Sequence, residues 1–371
     1  MWSRLKTFDP FLFIIPVVLS VISIIFIYVL TVDNQGSSLA IRQGIFVIIG
    51  FLAMGILTFV DYRAWKAWRW WMYGGVILLL AATMLIGTKQ FGATSWINIG
   101  PIQFEPGEVT KIVLIVILAS VLQTQGSRVK NGQFFIAALI FLLPVGLIML
   151  QPDFGTAAIT TVLAVSVFLH ARLQRWQRFV VIGVVCLAVL SIGLSFKNVQ
   201  PFGHLLKSYQ KERLASFLDP THDSTGSGYN VEQSKIAVGS GGLFGQGLGN
   251  GSQSQLNFLP VVQSDFIFAA IAEAWGIVGS YGLIFLFIVL VFRLIQAAQH
   301  AQDEFGYLVC IGMATMIVFQ VLQNVGMNIG IMPVTGIPLP FVSYGGTAFV
   351  TYCIGLGLAQ AIVVRSKRLT F

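Results

Sequence analysis

Long unbroken apolar runs, rather than short alternating ones, organise this chain. They fall at roughly 11–32, 39–60, 70–88, 109–123, 134–150, 156–169, 179–196, 266–292, 305–332 and 342–364. A helix crosses a bilayer with about 20 apolar residues. The pattern therefore predicts an all-α, polytopic membrane protein with about ten transmembrane helices. The count drops to nine if the short stretches around Gln151 form a re-entrant pair. Between the seventh and eighth runs lies a polar, glycine-rich stretch, residues 197–264, which reads as a long loop within one membrane domain covering 1–371.

Composition strengthens that reading. Of 371 residues, 56% are hydrophobic and only 10% are charged, against about 25% charged in ordinary soluble proteins. Mean hydropathy is +0.84. Cys186, Cys310 and Cys353 each sit inside an apolar run with no Cys-x-x-Cys spacing, so neither a disulfide framework nor a zinc site is indicated. Residues 1–9 are weakly basic and no small-x-small site follows the first run, which reads as a span rather than a cleaved signal.

The formal net charge of +8 changes the picture only once the charges are placed. With both termini cytoplasmic, the inside segments hold 14 of the 22 basic residues, from Arg4 to Arg368, and the short outside loops hold only Arg42, Lys89 and Lys111. That asymmetry obeys the positive-inside rule and makes the long loop extracellular. No basic stripe remains on a separate domain, so nucleic acid is not an expected partner. Trp65, Trp68, Trp70 and Trp71 read as an interfacial belt.

Ionisable groups at span ends are the candidate chemistry, because burying them is costly unless they are paired. Glu108 and Lys111 lie three residues apart on one helical face. Asp153 sits in the break QPDFG, Asp265 immediately precedes the eighth run, and Glu273 lies two turns inside it. A structural ion pair, a turn cap and a helix cap are the plain alternatives for Glu108–Lys111, Asp153 and Asp265. In the long loop, residues 207–218, KSYQKERLASFL, predict a short amphipathic helix lying in the interface and carrying Lys207, Lys211 and Arg213. The glycine run from Gly239 to Gly251 lacks a nucleotide-loop spacing. It reads either as a closely packed re-entrant turn or as a backbone cradle for a lipid-borne phosphate. Carboxylates and cations at headgroup depth suit polymer synthesis on a lipid-linked substrate, or transport of one.

Five segments carry a resemblance to the family of RodA, FtsW and SpoVE (the SEDS family). They are FGATSWINIGPIQFEPGEVTK, QPDFGTA, RLASFLDP followed by GYNVEQSKIAVGSGGLFGQGLG, SDFIFAAIAE, and NVGMNIGIMPVTGIPLPFVSYGG. The resemblance spans the whole chain and implies a ten-helix core. It implies a peptidoglycan glycosyltransferase polymerising lipid II outside the cytoplasmic membrane. The implied partners are a class B penicillin-binding protein, the growing glycan strand and other membrane proteins of cell elongation. Asp265 falls on the family's essential aspartate, Glu108 and Lys111 on its Glu and Lys, Asp153 on the Asp of QPDxG, and Ser343 on the Ser of PFxSYGG. The chain departs from the family where Ser95 stands for Arg, Glu105 for Gln, Gly107 for Ser and Ala274 for a second Glu. A further departure is the sequence Val261, Val262, Gln263, Ser264 ahead of the aspartate.

The implied reaction needs one general base, Asp265, to activate a sugar hydroxyl. Electrostatic support for the leaving pyrophosphate would come from Lys111, Lys207, Lys211 or Arg213. A divalent cation, Mg2+ or Mn2+, could share that task, although no strong ligand cluster is visible and the metal ligands are unknown. A lipid II flippase, a scaffold that activates the transpeptidase, and a division-type role are the alternative readings.

Overall fold

A computed structural model describes residues 8–90, 93–100, 102–124, 126–196, 226–256, 258–259 and 261–366, together with 211, 213, 215 and 217. Ten long helices lie where the apolar runs are. They are α1 (Phe11–Gln35), α2 (Ser38–Phe59), α3 (Ala64–Ile86), α4 (Pro106–Leu122), α5 (Asn131–Leu150), α6 (Phe154–His170) and α7 (Arg175–Phe196), then, after two shorter helices, α10 (Ile267–Gln299), α11 (Glu304–Asn328) and α12 (Gly346–Ser366). The shorter two are α8 (Ser227–Ser240) and the single turn α9 (Ser252–Gln255). Eight of the long helices are long and apolar enough to cross a membrane. The other two, α4 and α6, have 17 residues each, at the short end of the spanning range.

α4, α11 and α12 form the centre. Nearly every residue of α4 is buried, as expected of a helix that is apolar all round. α3, α5 and α7 stand outside and turn large side chains outward, including Leu85, Leu139 and Phe179. In a bilayer these faces meet acyl chains. α12 runs along α2, and a Cβ at Gly357 would lie 3.0 Å from the Met54 Cα, so the two backbones approach as closely as small residues allow.

The segment between α3 and α4 departs from an all-helical plan. It forms a small antiparallel sheet, β1 (Thr88–Gln90), β2 (Ala93–Ile99) and β3 (Ile102–Phe104), in the order β1-β2-β3. Ile97 pairs with Phe104 and Ile99 with Ile102. The alternation in ATSWINI and its β-branched residues favour a strand, and the stretch is too short and polar to span.

The loops group by charge. Arg293 pairs with Asp9 at 2.6 Å, Lys66 with Asp303 at 3.6 Å, Arg365 with Asp61 at 3.8 Å and Arg172 with Glu304 at 3.8 Å. These pairs tie together, at one end of the bundle, segments that the sequence assigns to one side. Being partly exposed, they align loops more than they stabilise.

α10 is broken at Gly276, where φ is 65°. The glycine run fills the break. Gly242 and Leu243 carbonyls accept from Ile277 and Val278, while Gln246 and Gly247 N–H groups donate to Glu273 and Ala274 carbonyls. Gly245, with φ 81°, approaches so closely that a Cβ there would lie 2.2 Å from the Ala274 oxygen. The close-packing reading of this run is the one the structure supports. Its N–H groups at Gly245, Gln246 and Gly247 are spent on carbonyls, so these three are not free to cradle a phosphate.

Candidate active site

A cavity of about 830 Å³ opens at the end of the bundle opposite those ion pairs. The sheet forms part of its wall through Trp96, Asn98 and Gln103, and α2, the start of α4, the start of α6 and the approach to α10 complete it. The sheet is fastened to the α5–α6 break and to α12. Thr94 N–H donates to the Gln151 carbonyl at 3.2 Å, Ser95 Oγ to Asp153 Oδ2 at 3.1 Å, and Thr347 Oγ1 to the Gln103 carbonyl at 3.2 Å.

Asp265 lies in this cavity, half-buried. Its side chain accepts from Ser264 Oγ at 3.0 Å. Desolvation raises its pKa above the ordinary carboxylate value, opposed by the Ser264 hydroxyl and the Arg213 charge. Its backbone is held from several sides. The Asn324 and Asn328 amides both donate to its carbonyl at 3.1 Å. Its own N–H donates to the Val261 carbonyl at 3.2 Å. Val261 has φ 54°, a strained conformation for a β-branched residue, of the kind retained where it fixes a functional group. Ser343 lies just behind. Its hydroxyl donates to the Ser264 carbonyl and accepts from Leu339 N–H at 2.8 Å. Ser343 is therefore a positioning residue.

Lys111 Nζ and Glu108 Oε1 are 2.5 Å apart, with both side chains almost fully buried. The other oxygen of Glu108 is buried with no hydrogen-bond partner among the described residues. Asp153 caps α6 by accepting from Thr156 N–H at 3.0 Å while also lining the cavity. Its capping and site readings are therefore compatible. Arg213 lines the cavity and donates to the Thr335 carbonyl at 3.4 Å. Lys211, Arg213, Ala215 and Phe217 are helical, as the amphipathic pattern predicts. Lys211 is half-buried and absent from the cavity lining, and Lys207 lies outside the described residues.

Glu273 is a correction. It is fully buried away from the cavity, and its carboxylate accepts from Gln253 N–H at 2.9 Å and Ser254 N–H at 3.0 Å. A carboxylate at the start of a short helix is satisfied by exposed backbone donors. Glu273 fixes the loop inserted at the α10 break rather than binding substrate.

Several site residues escaped the sequence reading. Arg42 lines the cavity from α2 and enters no ion pair among the described residues. Its signal was visible, since it is a basic residue on the side the positive-inside rule depletes. Glu105 also lines the cavity, and its pKa is raised well above the usual carboxylate range by burial and by the charges of Glu108 and Asp153. Asn324 and Asn328 lie four residues apart on α11, and that spacing was the available clue.

A bundle of apolar helices enclosing a charged cavity at one end, with a clamped carboxylate, defines a polytopic membrane protein that handles a polar group at the bilayer edge. The "Cell cycle protein" family model of FtsW, RodA and SpoVE matches residues 5–368, and the chain belongs to that family. It is 33% identical over 369 residues to peptidoglycan glycosyltransferase MrdB of Escherichia coli K12, covering 100% of this chain and 96% of that one. It is 31% identical over 427 residues to peptidoglycan glycosyltransferase RodA of Treponema pallidum, covering 96% and 98%. Among solved structures, it matches a chain of a peptidoglycan synthase complex that coordinates polymerization and crosslinking, with TM-score 0.79, 30% identity and coverage of 96% and 97%. The crystal structure of Thermus thermophilus rod shape determining protein RodA matches with TM-score 0.71, 28% identity and 96% coverage of each chain. The chain is a multi-pass protein of the cytoplasmic membrane.

Proposed function

We infer that this chain is a peptidoglycan glycosyltransferase that polymerises lipid II, with Asp265 as its general base. Family membership over residues 5–368 supports the activity. The observation that carries the assignment of the base is the half-buried Asp265 in the cavity, its carboxylate accepting from Ser264 and its backbone carbonyl held by Asn324 and Asn328. In this reading all ten long helices cross the membrane, both termini are cytoplasmic, and the cavity opens outside.

In the reaction, the acceptor sugar 4-hydroxyl attacks the anomeric carbon of the donor. The new C–O bond forms as the bond to undecaprenyl pyrophosphate breaks, and the proton passes to Asp265. The pyrophosphate leaves readily once its charge is countered, so a second carboxylic acid is not required of the kind glycoside hydrolases use. Lys111 is committed to Glu108 and sets the field of the cavity wall. Arg42 and Arg213 are the cations placed to meet the diphosphate.

The divalent cation is not built into these steps. Among the described residues no group of three or more His, Cys, Asp or Glu side chains is arranged to hold a metal. A Mg2+ or Mn2+ here would draw its ligands mainly from substrate phosphate oxygens and water, with one or two carboxylates, as Mg2+ commonly does.

Similarity to a rod shape determining protein supports a role in cell shape and elongation, and similarity to a chain of a synthase complex supports a class B penicillin-binding protein as partner. The test is polymerisation of labelled lipid II by purified protein, with and without that partner, beside Asp265→Asn. Glycan ladders that vanish in folded Asp265→Asn are expected. Ladders of normal length and rate from that variant would remove Asp265 as the base. No ladders from wild type with partner and divalent cation would turn the reading to transport or scaffolding.

A further inference from the structure

The charged end of the bundle holds a second cavity, of about 400 Å³, where four arginines converge. Arg128 comes from the α4–α5 loop, and Arg172, Arg175 and Arg178 from the α6–α7 connection and the start of α7. The frame beneath them is built. Val129 N–H donates to the Arg172 carbonyl at 2.9 Å, and the fully buried Gln177 donates from its amide to the Val129 carbonyl and to Asn131 Oδ1, each at 3.2 Å. Among the described residues no acidic side chain lines the cavity. Glu304 lies at its edge, 3.8 Å from Arg172 and hydrogen-bonded to Thr124 Oγ1 at 2.9 Å. Arg128, Arg175 and Arg178 enter no ion pair among the described residues.

The positive-inside rule accounts for basic residues on these loops. It does not account for four of them facing one space, where like charges repel unless an anion sits between them. The positive end of the α7 dipole points to the same place. Beside the cavity is a strip of exposed apolar and aromatic residues. Phe135 and Trp176 stand with ring centroids 6.2 Å apart, and Phe179 and Val180 follow on α7. A free anion needs no such strip, whereas a phospholipid brings its headgroup and acyl chains to just this junction.

We propose that this cavity binds the phosphate headgroup of an anionic phospholipid, with its acyl chains along Phe135, Trp176 and Phe179. The site rests on the chain being embedded in a membrane and not on the chemistry at Asp265. Lipid retention therefore tests it independently of polymerisation.

The experiment uses the full chain in nanodiscs of phosphatidylcholine with a minor fraction of phosphatidylglycerol or diphosphatidylglycerol, with retained lipid read by native mass spectrometry. Wild type is expected to retain the anionic lipid selectively. Each of Arg128→Gln, Arg175→Gln and Arg178→Gln should lower that selectivity about fivefold, and the triple variant should abolish it while still polymerising lipid II in detergent. Thermal stabilisation of wild type by phosphatidylglycerol over phosphatidylcholine, lost in the single variants, reads the same site if the triple variant does not fold. Selectivity unchanged in the variants overturns the proposal. So does full displacement of the lipid by millimolar inorganic phosphate, which would make this a free-anion site. Capture of an acidic polypeptide such as polyglutamate, with lipid selectivity unaltered by the variants, would assign the arginines to a protein partner and also overturn it.

Discussion

Lys111 Nζ lies 2.5 Å from Glu108 Oε1, one turn away on α4, and both side chains are almost wholly excluded from solvent. Such a pair contributes little net stability when intact, but breaking it leaves an uncompensated buried charge, at a cost of about 3–5 kcal/mol. Lys111→Met should therefore lower the unfolding temperature sharply in detergent. Adding Glu108→Gln should recover most of the loss without restoring polymerisation. A double variant as unstable as the single one would show that the stranded carboxylate is not the cause.

Asp265 should lower stability for the sake of function. Its folded pKa lies above the ordinary value because burial disfavours the carboxylate. As pH rises from about 4, the unfolded chain gives up this proton before the folded one does, so the residue costs stability from there upward. Asp265→Asn should match or exceed wild type in melting temperature at neutral pH while polymerisation stops. In wild type the rate should fall as pH drops through the raised pKa, because a base works deprotonated. A melting temperature well below wild type would mean that the carboxylate is held for structure.

Glu105 carries the same sign more strongly, since Glu108 and Asp153 add their repulsion to its desolvation. Glu105→Gln should flatten the decline in stability as pH rises above the ordinary Glu value of 4.5 and keep polymerisation near wild type. Melting curves measured across that range would be parallel for the two proteins if Glu105 were ionised like an exposed carboxylate.

What the sequence made legible follows the range of the interactions involved. The ten helices were readable because apolar runs of spanning length are a local signal. The common placement of Lys66, Arg172, Arg293 and Arg365 at one end followed from counting basic residues by loop. Asp265, Glu108, Lys111 and Asp153 were readable as costly groups at span ends and Arg213 as a cation on the loop's amphipathic helix, and the cavity gathers all five. Glu273 looked the same by that criterion, yet its partners are the backbone of residues 253 and 254, twenty positions away. The clamp on the Asp265 carbonyl was hidden for the same reason. Asn324 and Asn328 reach it across some sixty residues of sequence, and neither breaks any local rule. The sheet was missed because strands of three to seven residues are brief against spans of twenty.

The break in α10 gives a prediction about assembly. At Gly276 a Cβ would lie 2.5 Å from the Gly245 nitrogen and 2.6 Å from the Leu243 oxygen, and φ is already 65°. Backbone cannot rotate away as a side chain could. Gly276→Ala should expel the glycine run from the break, exposing residues 241–247 to limited proteolysis and lowering the melting temperature. A protein as protease-resistant as wild type would show that the inserted loop does not depend on this approach.

Arg42 offers the sharpest separation of binding from chemistry. It lines the cavity from α2, where its neighbours Ile41 and Ile45 are exposed as a lipid-facing surface. That is the geometry a lipid diphosphate needs, with its charge in the cavity and its chain against the helix. Lys111 is paired with Glu108, whereas Arg213 spends only one N–H on the neutral Thr335 carbonyl, so the diphosphate's charge falls to Arg42 and Arg213 together. A charge-assisted hydrogen bond is worth about 1.5–3 kcal/mol, which places the expected rise in KM for lipid II at roughly ten- to a hundredfold in Arg42→Ala. Arg42→Lys should recover part of it, as a point charge without the planar fork. If the same contact strengthens as the pyrophosphate departs, kcat falls as well. Binding of undecaprenyl pyrophosphate and undecaprenyl phosphate to the two proteins would separate these effects. Wild type should prefer the diphosphate, and an Arg42→Ala protein with the same preference would place the phosphate contacts elsewhere in the cavity.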